Sequence, residues 1–212
     1  MFVGDYFTIN GSSYVIAGIN TKHLHGDNMQ LGNHLLLMPD RFSKSEDGTV
    51  LRSNGKDTHY MNDTDTTAGG FAGTKLYKTI MPSIQKKLEA DFGNHLLNFR
   101  EVVSTHVDDN GAPDQAEWRD AKLGIPNEVM IYGTTLNGNN KNGSWYNIGD
   151  DDTQLPLFRL DPDEITNHRD WAFWLRDIHS ASVFADASTD GDADWAGASN
   201  PWIGVRAFFL IG

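Results

Sequence analysis

The chain has 212 residues, no cysteine, 17 Lys plus Arg against 29 Asp plus Glu, and a formal net charge of −12. Without cysteine there is no disulfide scaffold, thiolate metal site or cysteine redox chemistry, and the acidic balance argues against nucleic-acid binding, which needs a basic face for phosphates. Hydrophobic residues make up 39% and charged residues 22%, ordinary globular usage, and the length suits one domain spanning 1–212.

No window approaches the roughly 18 consecutive apolar residues of a membrane span, so no membrane insertion is expected. Met1-Phe2-Val3-Gly4-Asp5 lacks the basic and then apolar pattern of a secretory signal. Work outside a cell would require another route, such as lysis or assembly into a particle.

In chain order, Val3 to Ile9 and Tyr14 to Ile19 flank Asn10-Gly11-Ser12-Ser13 and predict a β-hairpin. His34-Leu35-Leu36-Leu37-Met38 is continuous and apolar, ends at Pro39, and suits a buried strand. Residues 39–70 are polar and rich in Asp, Ser, Thr and Gly, a long surface excursion. Gly73 to Phe92 predicts the principal helix, because Leu76, Ile80, Ile84 and Leu88 recur every fourth residue and Gly93 supplies a stop. Pro82 lies inside that pattern and predicts a kink or restart.

His95 to Ser104 carries clustered apolar residues and predicts a strand, followed by a loop at Asp108 to Pro113. Ile125 to Gly133 suits a short helical turn or a strand, with Asn127-Glu128-Val129 after Pro126 leaning toward helix. Asn137 to Asp152 is loop by its Asn and Gly content, and Leu155 to Leu160 is expected to be a short strand. Short antiparallel strands, one principal helix and long loops together predict an α+β domain.

The C-terminal segment, 171–212, has apolar and aromatic ends, Trp171 to Asp177 and Gly204 to Ile211. Its middle, His179 to Trp202, is a run of small polar residues and Asp with Trp195 and Trp202 embedded. The ends predict buried strands and the middle predicts surface loop and short irregular strand, a display segment clamped between two anchors. Small adaptable residues with a few aromatic anchors have the composition of a paratope.

Catalytic motifs are missing: the chain has no Gly-x-Ser-x-Gly, P-loop, Gly-x-Gly-x-x-Gly or His-Glu-x-x-His. No enzymatic activity and no cofactor are therefore expected. His23-Leu24-His25 with Asp27 reads as a solvated loop rather than a metal site. Asp190-Gly191-Asp192-Ala193-Asp194 has alternating carboxylates, but Pro201 stands where an EF-hand needs its bidentate Glu.

The series Trp174-Leu175-Arg176-Asp177, Ser180-Ala181-Ser182-Val183-Phe184, Asp190 to Asp194 and Gly204-Val205-Arg206-Ala207-Phe208 resembles the C-terminal segment of phage and prophage virion proteins with a C-type lectin-like fold. Some of those proteins carry this segment as the variable repeat of a diversity-generating retroelement. Gly4-Asp5-Tyr6-Phe7, Met61-Asn62-Asp63-Thr64, Gly69-Gly70-Phe71, Phe92-Gly93-Asn94-His95, Asn127-Glu128, Tyr132-Gly133 and Gln154 to Phe158 extend the resemblance over most of the chain, in order. Ala207 departs from the Pro usual there, and Trp195 and Trp202 are not products of single adenine changes in an Asn codon. The formylglycine-generating oxidases of the same superfamily need active-site cysteines, which this chain lacks.

The resemblance implies a scaffold whose N- and C-terminal strands lie side by side, with Trp174, Leu175, Gly204 and Val205 as framework. It implies a ligand-binding display surface at His179, Ser182, Asp186, Ser188, Thr189, Asp190, Asp192, Asp194, Trp195, Ser199, Asn200 and Trp202. The function it implies is receptor binding during host attachment, from a tail tip or capsid surface of a bacteriophage virion. The expected partners are a host cell-surface protein or glycan and other virion proteins, with the family's trimeric habit implying a homotrimer. The other expectation is a structural decoration or baseplate component without a free ligand. No Glu-Pro-Asn or Gln-Pro-Asp motif of calcium-dependent sugar binding is present.

Overall fold

Asn10 and Gly11 both adopt positive φ, 48° and 80°, the backbone that a two-residue hairpin turn requires and that Asn-Gly supplies most readily. The turn joins β1 (Tyr6–Ile9) to β2 (Ser12–Ile19), paired antiparallel from Tyr6↔Val15 to Ile9↔Ser12. The computed structural model describes residues 1–23, 31–39, 60–139, 153–166 and 172–212. Trp171, His25, Asp27, Asp150 to Asp152 and most of the two predicted long loops lie outside the described residues.

Strand β3 (Leu35–Pro39) follows, and then the principal helix in two parts. Residues Leu76–Ile80 form a π-helical turn and α1 runs Met81–Phe92. Pro82 sits in the first turn of α1, directly after the π-helical turn whose last bond runs from Met81 N–H to Leu76 O. The expected restart is thus a wide turn handing over to a regular helix. Met81, Ile84, Leu88 and Phe92 form the buried stripe, and Gly93, at φ 53°, ends the helix. Asp91 near that end accepts from Asn10 Nδ2 and the Tyr14 hydroxyl, both at 2.9 Å, tying helix to hairpin.

Strands β4 (Phe99–Val107) and β5 (Pro113–Ala121) make a two-stranded antiparallel sheet across a turn at Asp108 to Ala112. After β6 (Leu123–Gly124) comes α2 (Glu128–Tyr132), whose Asn127 cap accepts from Met130 N at 2.8 Å and whose C-terminus closes on left-handed Gly133. Leu155 to Leu160 is not a strand but a helix, α3 (Pro156–Leu160). Proline at its first turn has φ preset for helix, and Leu157 and Phe158, side by side, are both buried.

The C-terminal segment also differs from expectation. Where surface loop and short irregular strand are expected, it forms a regular three-stranded meander, β7 (Phe173–Ser180), β8 (Val183–Ala187) and β9 (Ala193–Gly197), before β10 (Phe208–Ile211). Phe184, Ala185, Ala187 and Ala198 are buried, so part of the middle is core. Small side chains allow that: alanines pack under neighbouring layers without needing a bulky apolar run.

The main sheet has the order β1-β2-β3-β10-β6. The terminal strands share this sheet but are not neighbours, because β3 lies between β2 and β10. Its strands bury both faces alternately. Tyr14, Ile16, Leu37 and Phe209 join the core that holds α1, while Val15, Ala17, Leu36, Met38, Phe208 and Leu210 join a second core with Phe158 and Met130. The two-sided burial explains why β3 reads as an unbroken apolar run.

Two buried ion pairs tie the C-terminal segment to this frame. Arg176 of β7 meets Glu101 of β4 at 2.8 Å with both side chains inaccessible. Arg206 meets Glu164, its guanidinium 5.6 Å from the ring centres of both Phe158 and Phe173. Trp174, Leu175 and Val205 are fully buried, and Trp174 N donates to Gly204 O while Gly204 N donates to Ala172 O, at 2.9 and 2.8 Å. These residues pack and hydrogen-bond beneath the β7–β9 meander.

Candidate functional site

The pairing of β7 with β8 runs Trp174↔Asp186 and then jumps to Ile178↔Phe184, so extra residues bulge out of β7 at 175–177. A bulge re-aims side chains. Here Arg176 reaches Glu101, and the fully buried Asp177 accepts the Glu128 N–H at 2.7 Å. Burial, and then the nearby Glu128 carboxylate, push the Asp177 carboxyl up to about 7, against the pull of that hydrogen bond.

Glu128 is itself fully buried, and its carboxylate accepts the backbone N–H groups of Leu136, Asn137 and Gly138 at 2.8 to 2.9 Å. That ties the segment after α2 against β7. Asn137 O in turn meets His179 Nδ1 at 2.8 Å, and the His179 ring stacks on Trp195, centres 4.8 Å apart and planes 12° from parallel. A chain of contacts therefore runs from a buried carboxylate to an exposed indole.

Trp195 is 49% exposed and Trp202 73% exposed. Both are held by their backbones: Trp195 N donates to Asp194 Oδ1 and Trp202 N to Asn200 Oδ1, each at 2.8 Å. On the outer side Asp65 accepts from Ser199 N and Ser199 Oγ at 2.8 and 2.7 Å, which holds its carboxyl below the usual carboxylate range. Thr67 donates to Ser180 O, and Ala198 N donates to Ser182 O. The β8–β9 turn is built on Ser188, whose Oγ accepts from Asp190 N and Asp192 N at 3.2 Å.

Of the expected ligand-binding residues, Asp190, Asp192, Asp194, Trp195 and Trp202 are exposed. His179, Ser182, Ser188, Thr189, Ser199 and Asn200 are half-buried. Asp186 is the exception, only 4% exposed. The register sets it on the central strand of the meander between buried Trp174 and exposed Asp194, where its neighbours cover nearly all of its surface. Among the described residues no three His, Asp or Glu side chains converge to hold a metal ion.

Sequence reasoning missed Glu128, Asn137, Asp65 and Tyr132, all of which shape this face. Tyr132 OH donates to Asp192 O at 3.0 Å, and its phenol is pushed far up by burial and then by Asp186, Glu128, Asp192 and Asp194. The sequence touches this corner only through the lean of Asn127-Glu128-Val129 toward helix and the Asn127-Glu128 and Tyr132-Gly133 pieces of the resemblance.

Burial, and then Asp194, raise the Asp186 carboxyl to about 7. Well below pH 4 folded and unfolded chains both hold this proton. Between about pH 4 and 7 the unfolded chain releases it first, so this group's share of stability falls with rising pH and stays low above 7. Asp177 has the same sign. Asp186→Asn is expected to raise stability by about 2 kcal/mol at pH 8 and to change it little at pH 4, as urea unfolding at the two pH values would show.

Fold and face together define an α+β domain, mostly antiparallel strands in three sheets with one main helix, that carries an acidic, aromatic rim on its C-terminal meander. No known protein family, curated protein or solved structure matches the chain.

Proposed function

We propose that this chain is a phage virion protein with a C-type lectin-like fold that binds a host-surface protein or glycan through its C-terminal meander. The observation that supports this reading best is the exposure of Trp195 and Trp202 on a segment whose two ends are locked into the core by buried ion pairs and backbone bonds. Large indoles kept in water on a rigid support are suited to anchor a partner. The exposed aspartates beside them favour on-rate and orientation.

Saturable binding of the purified protein to host cells tests the reading. Trp195→Ala and Trp202→Ala are each expected to weaken it by about 2 kcal/mol, roughly 30-fold in Kd. Folding should be unaffected, since neither indole is core. Absence of saturable binding by the wild-type protein would overturn the proposal.

A second reading, a decoration or baseplate component without a free ligand, is favoured by one feature. Met1, Phe2 and Tyr6 are exposed near an apolar groove of about 630 Å³ lined by Phe7, Ile9, Ile19, Leu35, Phe92 and Ile211. Such a surface suits a permanent subunit contact. Incorporation into particles without any cell binding would select this reading.

A further inference from the structure

Strand β5 borders its two-stranded sheet. Among the described residues β4 is its one strand neighbour, and the main chains of Gln115, Glu117, Arg119 and Ala121 bond to no described residue outside β4. Gln115, Glu117 and Asp120 are exposed, and the rest of the strand after Pro113 is half-buried. A strand border with unspent N–H and C=O groups is a template for another strand.

The other borders are short or covered. Strands β1, β6 and β9 have four, two and five residues, against nine in β5. On β7, Trp174 N and Arg176 N donate to Gly204 O and Pro126 O. On β4, Gly70 lies so close that a Cβ there would come within 2.4 Å of Ser104 O.

The charges of β5 say what fits its border. The strand reads Pro113-Asp114-Gln115-Ala116-Glu117-Trp118-Arg119-Asp120-Ala121, and Lys122 follows. Two copies of one border pair antiparallel only about a two-fold axis that passes through a residue, since otherwise their main-chain groups are out of step. With the axis at Trp118, Glu117 opposes Arg119 of the second copy, twice by symmetry, and Asp114 opposes Lys122. No like charges meet. An axis at Glu117 would oppose two glutamates and set Asp114 against Asp120, and an axis at Arg119 would oppose two arginines. Opposite charges across a strand pair favour it and like charges disfavour it, so the pattern selects one register.

Within one chain Glu117 and Arg119 already form an ion pair, with side chains 51% and 35% exposed. Pairing about Trp118 would join two such pairs into a ring of four alternating charges. The surroundings tolerate a second copy. Segment 75–92 carries four lysines and two acidic residues, and 113–122 carries two basic and three acidic. Lys122 meets Glu89 at 2.8 Å, which puts both segments on one side of the molecule. That side is close to neutral although the whole chain has a charge of −12, so the general repulsion between copies is least there.

We propose that β5 is a self-association border, at which two copies of this chain pair antiparallel about Trp118 into a four-stranded sheet ordered β4-β5-β5-β4. The contact is small, so the dimer is weak, with Kd on the order of 10 to 100 µM. It does not depend on what the C-terminal meander binds. Its consequence for any such ligand is two linked faces in place of one, and hence avidity on a surface that repeats the ligand.

Sedimentation equilibrium of the full chain tests the dimer, which is expected to give a monomer–dimer equilibrium. Glu117→Arg opposes arginine to Arg119 on both sides of the axis and should raise Kd at least about tenfold. Circular dichroism of that variant checks that the loss is not one of fold. The register is tested by cross-linking, which the absence of cysteine from the chain makes specific. Glu117→Cys mixed with Arg119→Cys places the two thiols opposite each other and keeps one Glu117–Arg119 pair. Under mild oxidation the mixture should form disulfide dimers at least about fivefold faster than either variant alone.

A monomer throughout would overturn the proposal and leave the border to a different chain. A trimer would overturn it as well, because a two-fold pairing closes at two copies. An unchanged Kd for Glu117→Arg, or a mixture that cross-links no faster than its components, would do the same.

Discussion

Glu128→Gln is expected to destabilise the fold by about 3 kcal/mol and to loosen the ring pair at its surface. The carboxylate accepts three backbone N–H groups, from Leu136, Asn137 and Gly138, in a fully buried position. Glutamine keeps the shape but turns one acceptor into a donor that faces other donors. Hydrogen bonds to a buried charge are worth about 1.5 to 3 kcal/mol each, and an unsatisfied buried group adds its own penalty. Some relief comes from the neighbouring Asp177, whose carboxyl is held up partly by the Glu128 charge. Because Asn137 O holds His179 and His179 stacks on Trp195, indole fluorescence should change at denaturant concentrations where far-ultraviolet dichroism is still native. A single coincident transition would show that the segment after α2 does not act through this path.

Arg176→Met is expected to be the other severe change, about 3 to 5 kcal/mol by urea unfolding, because it leaves the Glu101 carboxylate buried beside an apolar side chain. Combining it with Glu101→Leu should restore much of the loss, since an apolar pair of similar volume avoids the desolvation of two charges. The double-mutant cycle separates the value of the pair from the penalty of an orphaned charge. Recovery to near wild-type stability would mean that the ion pair sets the position of the β7 bulge more than it contributes net stability. No recovery would mean that the other partners of these two side chains matter as much as the pair.

Much of the framework was legible in the sequence, because it depends on local rules. Asn10-Gly11 fixed the hairpin, the four-residue repeat and Gly93 fixed α1, and the apolar run before Pro39 fixed β3. Where local rules were ambiguous the reading failed. Leu155 to Leu160 is too short for periodicity to separate helix from strand, and the deciding signal was Pro156 at the first turn. Strand β5 was overlooked because Asp114, Glu117, Arg119 and Asp120 interrupt any apolar alternation. It pairs along β4, and its Arg119 lies over the Tyr77 ring of the π-helical turn at 5.4 Å.

The face itself was legible only in outline. Composition separated the wet middle of the C-terminal segment from its buried ends, and Trp195 and Trp202 do stand in solvent. Composition treats an aspartate as exposed, however, and only the packing around the central strand β8 covers Asp186 while leaving its cross-strand partner Asp194 in solvent. Strands β8 and β9 are rich in Ala and Asp, poor strand formers, and owe their conformation to the ladder that runs from β7 through β8 to β9. The Glu128 cradle joins residues far from the meander in sequence, and no local pattern announces it.

The rim is fastened by main-chain bonds. Ala198 N to Ser182 O, Trp174 N to Gly204 O and Asn62 N to Ala198 O are indifferent to the side chains they carry. The central sheet, by contrast, uses the side chains of both its faces. Evolution can therefore rewrite the outward positions of β9 without renegotiating the fold, whereas a new residue in β3 or β10 must satisfy two layers at once.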